Sequence, residues 1–355
     1  MAPSHHIIKP LHGQRGGAAI LFVLCLPVLL GFAALAVDLA RLNLTMVELQ
    51  NAVDAAALGG VRSFSDPSTA ASDQPYNWSA ATATALDVAR RNVANAARIH
   101  DALIETGYWN LQNPSLGLRH PRTPGVPVKG DVAAIRATIA ISSTQNNGPL
   151  QFFFAPILGI ADPNVQASAI AVLPAPEAGT GMFPVVINMA MFTHWWDTTT
   201  RTPKLDPATH KPYIFDMGST WFSIESSYWT TFDITSNSAS TISGLFSTGN
   251  TTKLAIGDLT YIPTGLKASV FKEITPVPSS CYWKDVAVYV VDSIVEKQKV
   301  PIVAIAGLRI IGTTGNGANT LIKVQFLDNV PIATTNPGAG NGLPLGAYSP
   351  PILVQ

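Results

Sequence analysis

The run from Gly16 to Val37, GGAAILFVLCLPVLLGFAALAV, contains no charged residue, and it restricts the architecture of this chain more than any other segment. A helix rises ~1.5 Å per residue, so the run makes a helix about 33 Å long, enough to cross a hydrocarbon core of ~30 Å. Lys9 and Arg15 precede it without an acid, and the first charge after it is Asp38. That asymmetry predicts a single-pass anchor with residues 1–15 in the cytoplasm and the bulk of the chain outside it. A cleavable signal is the competing reading, because Ala34-Leu35-Ala36 has the small-x-small form of a cleavage site. Against cleavage, the run exceeds the ~7 to 15 residues of a signal core, and its helical pattern continues past Ala36. Pro27 removes a backbone donor, which membrane helices tolerate where the freed carbonyl finds another partner.

Beyond the span, Leu35, Leu39, Leu42, Met46, Leu49, Val53 and Ala56 recur at spacings of four and three, the period of a helix seam. The membrane helix is therefore expected to continue to about Gly59. Ala52, Ala56 and Gly60 add a line of small residues along which another helix can approach closely. Asn43, Gln50 and Asp54 form an adjacent polar stripe, read either as a solvated face or as interhelical hydrogen bonding. A second helix is expected over Ala80 to Glu105, where Leu86, Ala89, Val93, Ala96, His100 and Leu103 keep helical spacing, folding back as a hairpin. His100 then falls on its apolar side as a packed residue.

Three runs occur in a fixed order: Arg15-Gly16-Gly17-Ala18-Ala19 opening the span, Ala36-Val37-Asp38-Leu39-Ala40-Arg41 closing it, and Leu49-Gln50-Asn51-Ala52-Val53-Asp54-Ala55-Ala56-Ala57-Leu58-Gly59-Gly60 following it. This order resembles the N-terminal signature of TadG-like proteins of the bacterial tight-adherence (Tad, Flp pilus) system. The likeness is strongest over residues 14–61 and continues to Pro174, with Phe152-Phe153-Phe154 and Val165 to Ala171 similar to the family's strand region. It implies an inner-membrane assembly component with partners among other pilus or secretion proteins. Some TadG-like proteins carry an adhesin domain whose Asp-x-Ser-x-Ser motif holds a divalent cation. Here the nearest approaches, Asp233-Ile234-Thr235-Ser236 and Asp292-Ser293-Ile294, lack the serine pair.

Downstream, residues 113–130 read as a Pro-rich loop with Arg119, His120, Arg122 and Lys129, either solvated or touching anionic lipid. Alternation predicts strands over Val132 to Ile141 and Val165 to Leu173. The segment 174–181 has linker composition. Past it, strands are expected at Phe183–Met189, Thr220–Glu225, Lys267–Glu273, Val286–Ile294, Ile302–Ile311 and Leu321–Phe326, with a loosely held tail over Pro337 to Pro351. The predicted class is α+β: a transmembrane helix continuing into a helical hairpin, then mostly antiparallel β structure in two parts. The predicted division is 1–15 cytoplasmic, 16–37 transmembrane, 38–105 helical stalk, 106–173 small β region (TadG-like over 14–173), 174–181 linker, and 182–355 β-rich domain.

Charged residues make up only 12% of the chain and the formal net charge is zero, which excludes an acidic disordered chain and a nucleic-acid binder. The part after the span holds all 22 acidic residues and, without Lys9 and Arg15, 20 of the 22 basic ones, so its formal charge is −2. Cys25 in the span and Cys281 far outside it cannot pair within one chain. No nucleophile elbow, zinc-protease helix, phosphate loop or Cys-x-x-Cys cluster occurs, so neither catalysis nor a cofactor is expected. His194, Asp197, Asp206 and His210 have ligand chemistry but irregular spacing, and no metal site is assigned to them. Aromatic residues concentrate between Trp195 and Phe232. They read mainly as a β-domain core, with Trp195-Trp196 as the pair hardest to bury and therefore a candidate partner anchor. The reading is a structural anchor in contact with the bilayer, other pilus proteins and, through helix packing, itself. An adhesin or carbohydrate-binding module and a membrane-anchored hydrolase are the alternatives.

Overall fold

The computed structural model describes residues 15–65, 76–198, 201–217, 220–221, 224–225, 227–264, 270, 285–314, 321–328, 330–332 and 342–354. The strand expected over Lys267–Glu273 and the residue Cys281 lie outside the described residues, apart from Val270, which is buried.

Helix α1 runs unbroken from Arg15 to Val61, with Pro27 inside it, and ends in a 3-10 turn over Arg62–Ser65. Its first half carries the one stretch among the described residues that is long and apolar enough to cross a membrane, and none of that stretch is buried. From Asp38 onward one side becomes buried: Asp38, Thr45, Leu49, Ala52, Val53, Ala56, Ala57, Gly60 and Val61. Helix α2, Trp78–Arg91, lies against that side. Its start is capped by Asn77, whose side chain accepts the Ala80 N–H at 2.9 Å, and it buries Trp78, Ala81, Ala85 and Ala89.

The helix expected to reach Glu105 stops at Arg91. The Asn92 side chain donates to the Val88 carbonyl at 2.8 Å, and the backbone turns extended. Val93–Ala94 then pairs with Ala97–Arg98 across Asn95 and Ala96, which both have positive φ, as a two-residue primed turn requires. The helical spacing of Val93, His100 and Leu103 is therefore coincidental, and all three are exposed.

Strands β1 (Leu103–Asn110), β2 (Asp131–Ile141) and β3 (Val165–Leu173) form an antiparallel sheet in the order β1-β2-β3. The period of two divides them cleanly. Ala133, Ile135, Ala137, Ile139 and Ile141 with Val165, Ala167, Ala169, Ala171 and Leu173 face the helices. Val132, Ala134, Ile170 and Val172 face the other way with Trp109. The loop of residues 113–130 folds onto the sheet edge through an Arg119–Asp131 ion pair whose carboxylate is fully buried.

The β-rich remainder has a second sheet. Strands β4 (Val185–Asn188), β5 (Ile214–Met217), β6 (Ser227–Trp229), β8 (Asp285–Val291), β9 (Lys299–Thr314) and β10 (Leu321–Leu327) lie in the order β5-β10-β9-β8-β4-β6, while β7 (Leu259–Tyr261) pairs with β9. Pairing is antiparallel except between β4 and β8. Helices α3 (Met189–Trp195) and α4 (Ala239–Thr248), which no sequence period announces, complete this part. At Thr220–Glu225 only a two-residue ribbon forms, Thr220–Trp221 with Ile224–Glu225.

Two further expectations are corrected. Residues 174–181 are packed: Ala178–Gly179 pairs with Leu254–Ala255, and the buried Asn250 side chain accepts the Met182 N–H and donates to Gly179 O, Thr252 O and the Tyr289 hydroxyl at 2.8–3.0 Å. The small residues there serve close packing, since a Cβ on Gly249 would lie 2.5 Å from the Gly181 carbonyl carbon. The tail is also held. Leu345, Ala347, Tyr348 and Ser349 are buried, and β11 (Ile352–Leu353) adds to β3 as a fourth strand of the first sheet. Residues 337–341 lie outside the described residues.

Gly60 sets the distance between α1, α2 and the first sheet. A Cβ there would sit 2.7 Å from Ala85 Cβ, 2.8 Å from Ala81 O and 2.6 Å from Ile135 Cδ1. Gly60→Val is expected to destabilise the fold by about 1–3 kcal/mol through overpacking, lowering the thermal unfolding midpoint of the detergent-solubilised chain. Gly31→Ala, where a Cβ meets nothing within 4 Å, should leave the midpoint unchanged. Equal midpoints for both variants would remove Gly60 from this role.

Candidate functional site

Where the apolar half of α1 meets the folded body stands Asp38, only 1% exposed. Its Oδ1 accepts the Phe153 N–H at 2.8 Å, and its Oδ2 accepts those of Phe154 and Ala155 at 2.9 and 2.7 Å. The three donors come from the segment joining β2 to β3, just before a 3-10 turn over Ala155–Leu158. One helical turn on, the Arg41 guanidinium lies 4.6 Å from the centre of the Phe153 ring. It also donates to Asn95 Oδ1 at 2.9 and 3.3 Å. Asn95 in turn gives its N–H to Glu48 at 2.8 Å. The Asp-x-x-Arg spacing thus puts an anion and a cation on one helix face, where the anion takes the β2–β3 loop and the cation takes that loop and the Asn95 turn. Burial pushes the Asp38 carboxyl up, but the three N–H donors and then Arg41 outweigh it, holding its pKa below the ordinary 3.8.

The predicted seam residues are split between two environments. Leu49, Val53, Ala56 and Gly60 are buried within the chain, and Leu42 packs at the edge of the same core. Leu35, Leu39 and Met46 stand 38%, 52% and 38% exposed. Of the polar stripe, Asn43 and Gln50 are exposed, and the Gln50 amide donates to Asp54 at 2.8 Å within the helix. The continuous seam is therefore split: Leu49 and the seam residues after it build this molecule, Leu42 sits at the core's edge, and Leu35, Leu39 and Met46 stay outward.

Trp195 and Trp196 do not form an exposed pair. Trp196 is 1% exposed and packs 5.0 Å from Phe192 and 6.3 Å from Phe326, measured between ring centres. Trp195 is half-buried, its ring parallel to that of Phe215 at 6.2 Å and tilted against that of Tyr213 at 4.6 Å, between centres. Opposite facing was expected of neighbours on a strand. Trp195 instead ends α3 and Trp196 starts extended backbone, so the change of conformation turns both rings to one core. Among the described residues, no three His, Cys, Asp or Glu side chains converge as metal ligands.

Sequence reasoning singled out Asp38 and Arg41 as part of a motif but not as the tie between helix and loop. The partners of Asp38 are backbone N–H groups more than a hundred residues away, which carry no side-chain signature, and Arg41 meets Asn95 and the Phe153 ring only through the fold.

Residues 16–63 match the family model described as putative Flp pilus-assembly TadE/G-like, and residues 65–171 match that described as putative Tad-like Flp pilus-assembly. The resemblance read from the N-terminal residues is thus shown across 16–171, which includes the Asp38 tie, α2, β1, β2 and β3 as far as Ala171. No curated protein and no solved structure matches the chain.

Asp38→Asn keeps the size of the side chain but offers one acceptor oxygen and turns an amide donor toward an N–H. The variant is expected to be less stable than the parent, with loss of hydrogen-exchange protection at Phe153, Phe154 and Ala155. Because the folded carboxyl titrates below 3.8, its contribution is complete at neutral pH and is lost only as the pH falls through that lower value. Unchanged protection at the three amides in the variant would show that the loop is held by something else.

Proposed function

We propose that the chain is a single-pass inner-membrane component of a Tad-type pilus assembly machine, acting by binding and positioning rather than by catalysis. The two family matches, which adjoin at the turn that ends α1, carry this reading. Residues 16–37 of α1 lie in the bilayer, and residues 38–61 of the same helix form the spine of the folded body. Lys9 and Arg15 keep the N-terminus in the cytoplasm, which places residues 38–355 in the periplasm. Leu35, Leu39 and Met46, left outward by the fold, offer a helix face to another assembly protein or to a second copy. The part from Met182 on, with its aromatic residues largely in the core, presents polar loops and strand edges to further partners. In this reading the chain comprises a membrane helix, a helical and β body to residue 173 that the C-terminal strand Ile352–Leu353 joins, and a β-rich part from 182.

A photo-crosslinking residue at Leu39 or Met46, introduced in cells carrying the pilus system, is expected to yield adducts with other assembly proteins that disappear when those genes are deleted. The same residue at buried Val53 should yield none. Normal pilus assembly in cells lacking this chain would refute the assignment, and adducts of unchanged size in the deletion strains would leave only self-association.

Orientation is checked by thiol labelling in a background with Cys25→Ala and Cys281→Ser. A cysteine at Ser4 should be protected from an impermeant reagent when the outer membrane alone is permeabilised, and one at exposed Ser143 should react. The reverse pattern overturns the topology. Full-length mass in the membrane fraction, including Met1 or Ala2, excludes cleavage after Ala36.

A further inference from the structure

Among the described residues outside α1, the loop that Asp38 holds is a markedly apolar and exposed segment. From Phe152 to Ala161 the sequence reads FFFAPILGIA, with no polar or charged side chain. Phe153, Phe154, Ile157, Leu158 and Ile160 are 62%, 40%, 79%, 66% and 47% exposed. A patch of this kind on a body with ample polar surface marks a contact with something apolar.

Its position says what that is. The loop turns along the apolar half of α1, and an apolar groove of about 450 Å³ runs between them, lined among others by Leu30, Ala34, Val37, Phe154, Ile157 and Leu158. Leu30 is eight residues before Asp38, so the loop reaches about 12 Å down the span from its tie. Whatever solvates Leu30 to Val37 also solvates Ile157 and Leu158.

The backbone of the loop is built for a medium without water, where every unpaired N–H is costly. Asp38 takes the N–H groups of Phe153, Phe154 and Ala155. Pro156 has none. Ile157 donates to Phe154 O at 3.0 Å, Gly159 to Pro156 O at 3.0 Å and Ile160 to Ala155 O at 3.1 Å. At the stem, Asp162 takes the Phe152 N–H at 2.9 Å. An ordinary surface loop can leave such groups to solvent. Here the N–H groups of Phe152 to Ala155, Ile157, Gly159 and Ile160 are taken up within the chain.

We propose that Phe153–Ile160 is a second membrane-inserted element, entering the leaflet nearest the folded body beside α1, with lipid acyl chains filling the groove between them. Asp38 and the Arg41–Phe153 contact hold it at a set depth, so the body rests on the bilayer at two points and cannot swivel about the helix. This rests on the reading that residues 16–37 span the membrane.

The test uses the full chain in proteoliposomes of phosphatidylethanolamine and phosphatidylglycerol, cysteine-free except for one spin-labelled position: Leu24, Ile157, Leu158 or Ser143. Collision with oxygen, which concentrates in lipid, is compared with collision with a water-soluble nickel chelate. Oxygen should prevail at Leu24, Ile157 and Leu158, and the chelate at Ser143. The labels replace exposed side chains, so the fold is kept, and unchanged unfolding midpoints verify it. Chelate prevailing at Ile157 and Leu158 while oxygen prevails at Leu24 overturns the inserted loop and leaves the anchor intact. Chelate prevailing at Leu24 as well would overturn the spanning helix itself. Labels at Ile157 and Leu158 shielded from both probes would show a protein, such as a second copy, in place of lipid, and would equally overturn the proposal. Adding Asp38→Asn to the Ile157 label should raise its exposure to the chelate; no change would remove Asp38 as the tie.

Discussion

A carboxylate buried at the foot of an apolar helix is costly unless its lone pairs are taken up. Asp38 meets that condition with three backbone N–H groups from one short segment. The backbone donors favour its charged form, holding its pKa below the ordinary carboxylate value, so the tie is intact at neutral pH. The arrangement needs both parties: without the loop, the aspartate is an unpaired charge beside the span, and without the aspartate, three consecutive N–H groups in an apolar loop lack partners. Because α1 continues past Asp38 without a break, over about 70 Å, this side chain ties the start of its buried half to the β2–β3 loop.

The helix is clamped by small residues. Ala52, Ala56, Ala57 and Gly60 on α1 meet Ala81, Ala85 and Ala89 on α2, and both helices lie on a sheet face rich in Ala133, Ala137, Ala167, Ala169 and Ala171. Such surfaces bury little area per residue, but they let backbones approach and leave few rotamers to order. Bulk is concentrated at one end instead, where Phe64, Tyr76, Trp78, Tyr108 and Tyr348 pack in tilted and edge-to-face pairs with ring centres 5.0–6.3 Å apart. The alanine-rich packing sets the geometry of the helices. The aromatic end supplies apolar burial that alanines cannot, and it includes a residue from the C-terminal tail.

What could be read from the sequence follows the range of the forces involved. The apolar span and the two central strands are periodic and local, and Val165–Leu173 is found with the bounds that alternation predicts. The end of α2 was hidden because Val93, Ala96 and Leu103 continue a helical spacing, while the terminator is a single asparagine bonding back one turn. The split of the seam was hidden for a different reason. A heptad states that one side of a helix is apolar, not whether its partner is the same chain or another. The tail and the segment 174–181 look like loops because Gly and Pro are read as flexible. Here they are small or rigid pieces in crowded places, recognisable only once Tyr289 and Asn250 stand beside them.

That misread tail changes how the β-rich part relates to the helix. Leu345 accepts the Gly307 N–H from the second sheet and Gly346 accepts that of Val330, both within 3.0 Å; a few residues on, Ser349 donates to Pro174 O and Ile352–Leu353 pairs with Val172 and Ala171 of the first sheet. The chain therefore passes between the two sheets twice, once outward through 174–181 and once back through 345–353, and both passages are hydrogen-bonded. Swinging one sheet against the other would require stripping β11 from β3 and exposing Tyr348 together with the aromatic cluster it closes. The physical consequence is mechanical: a pull on the second sheet reaches β3 through β11, and β3 lies directly on α1.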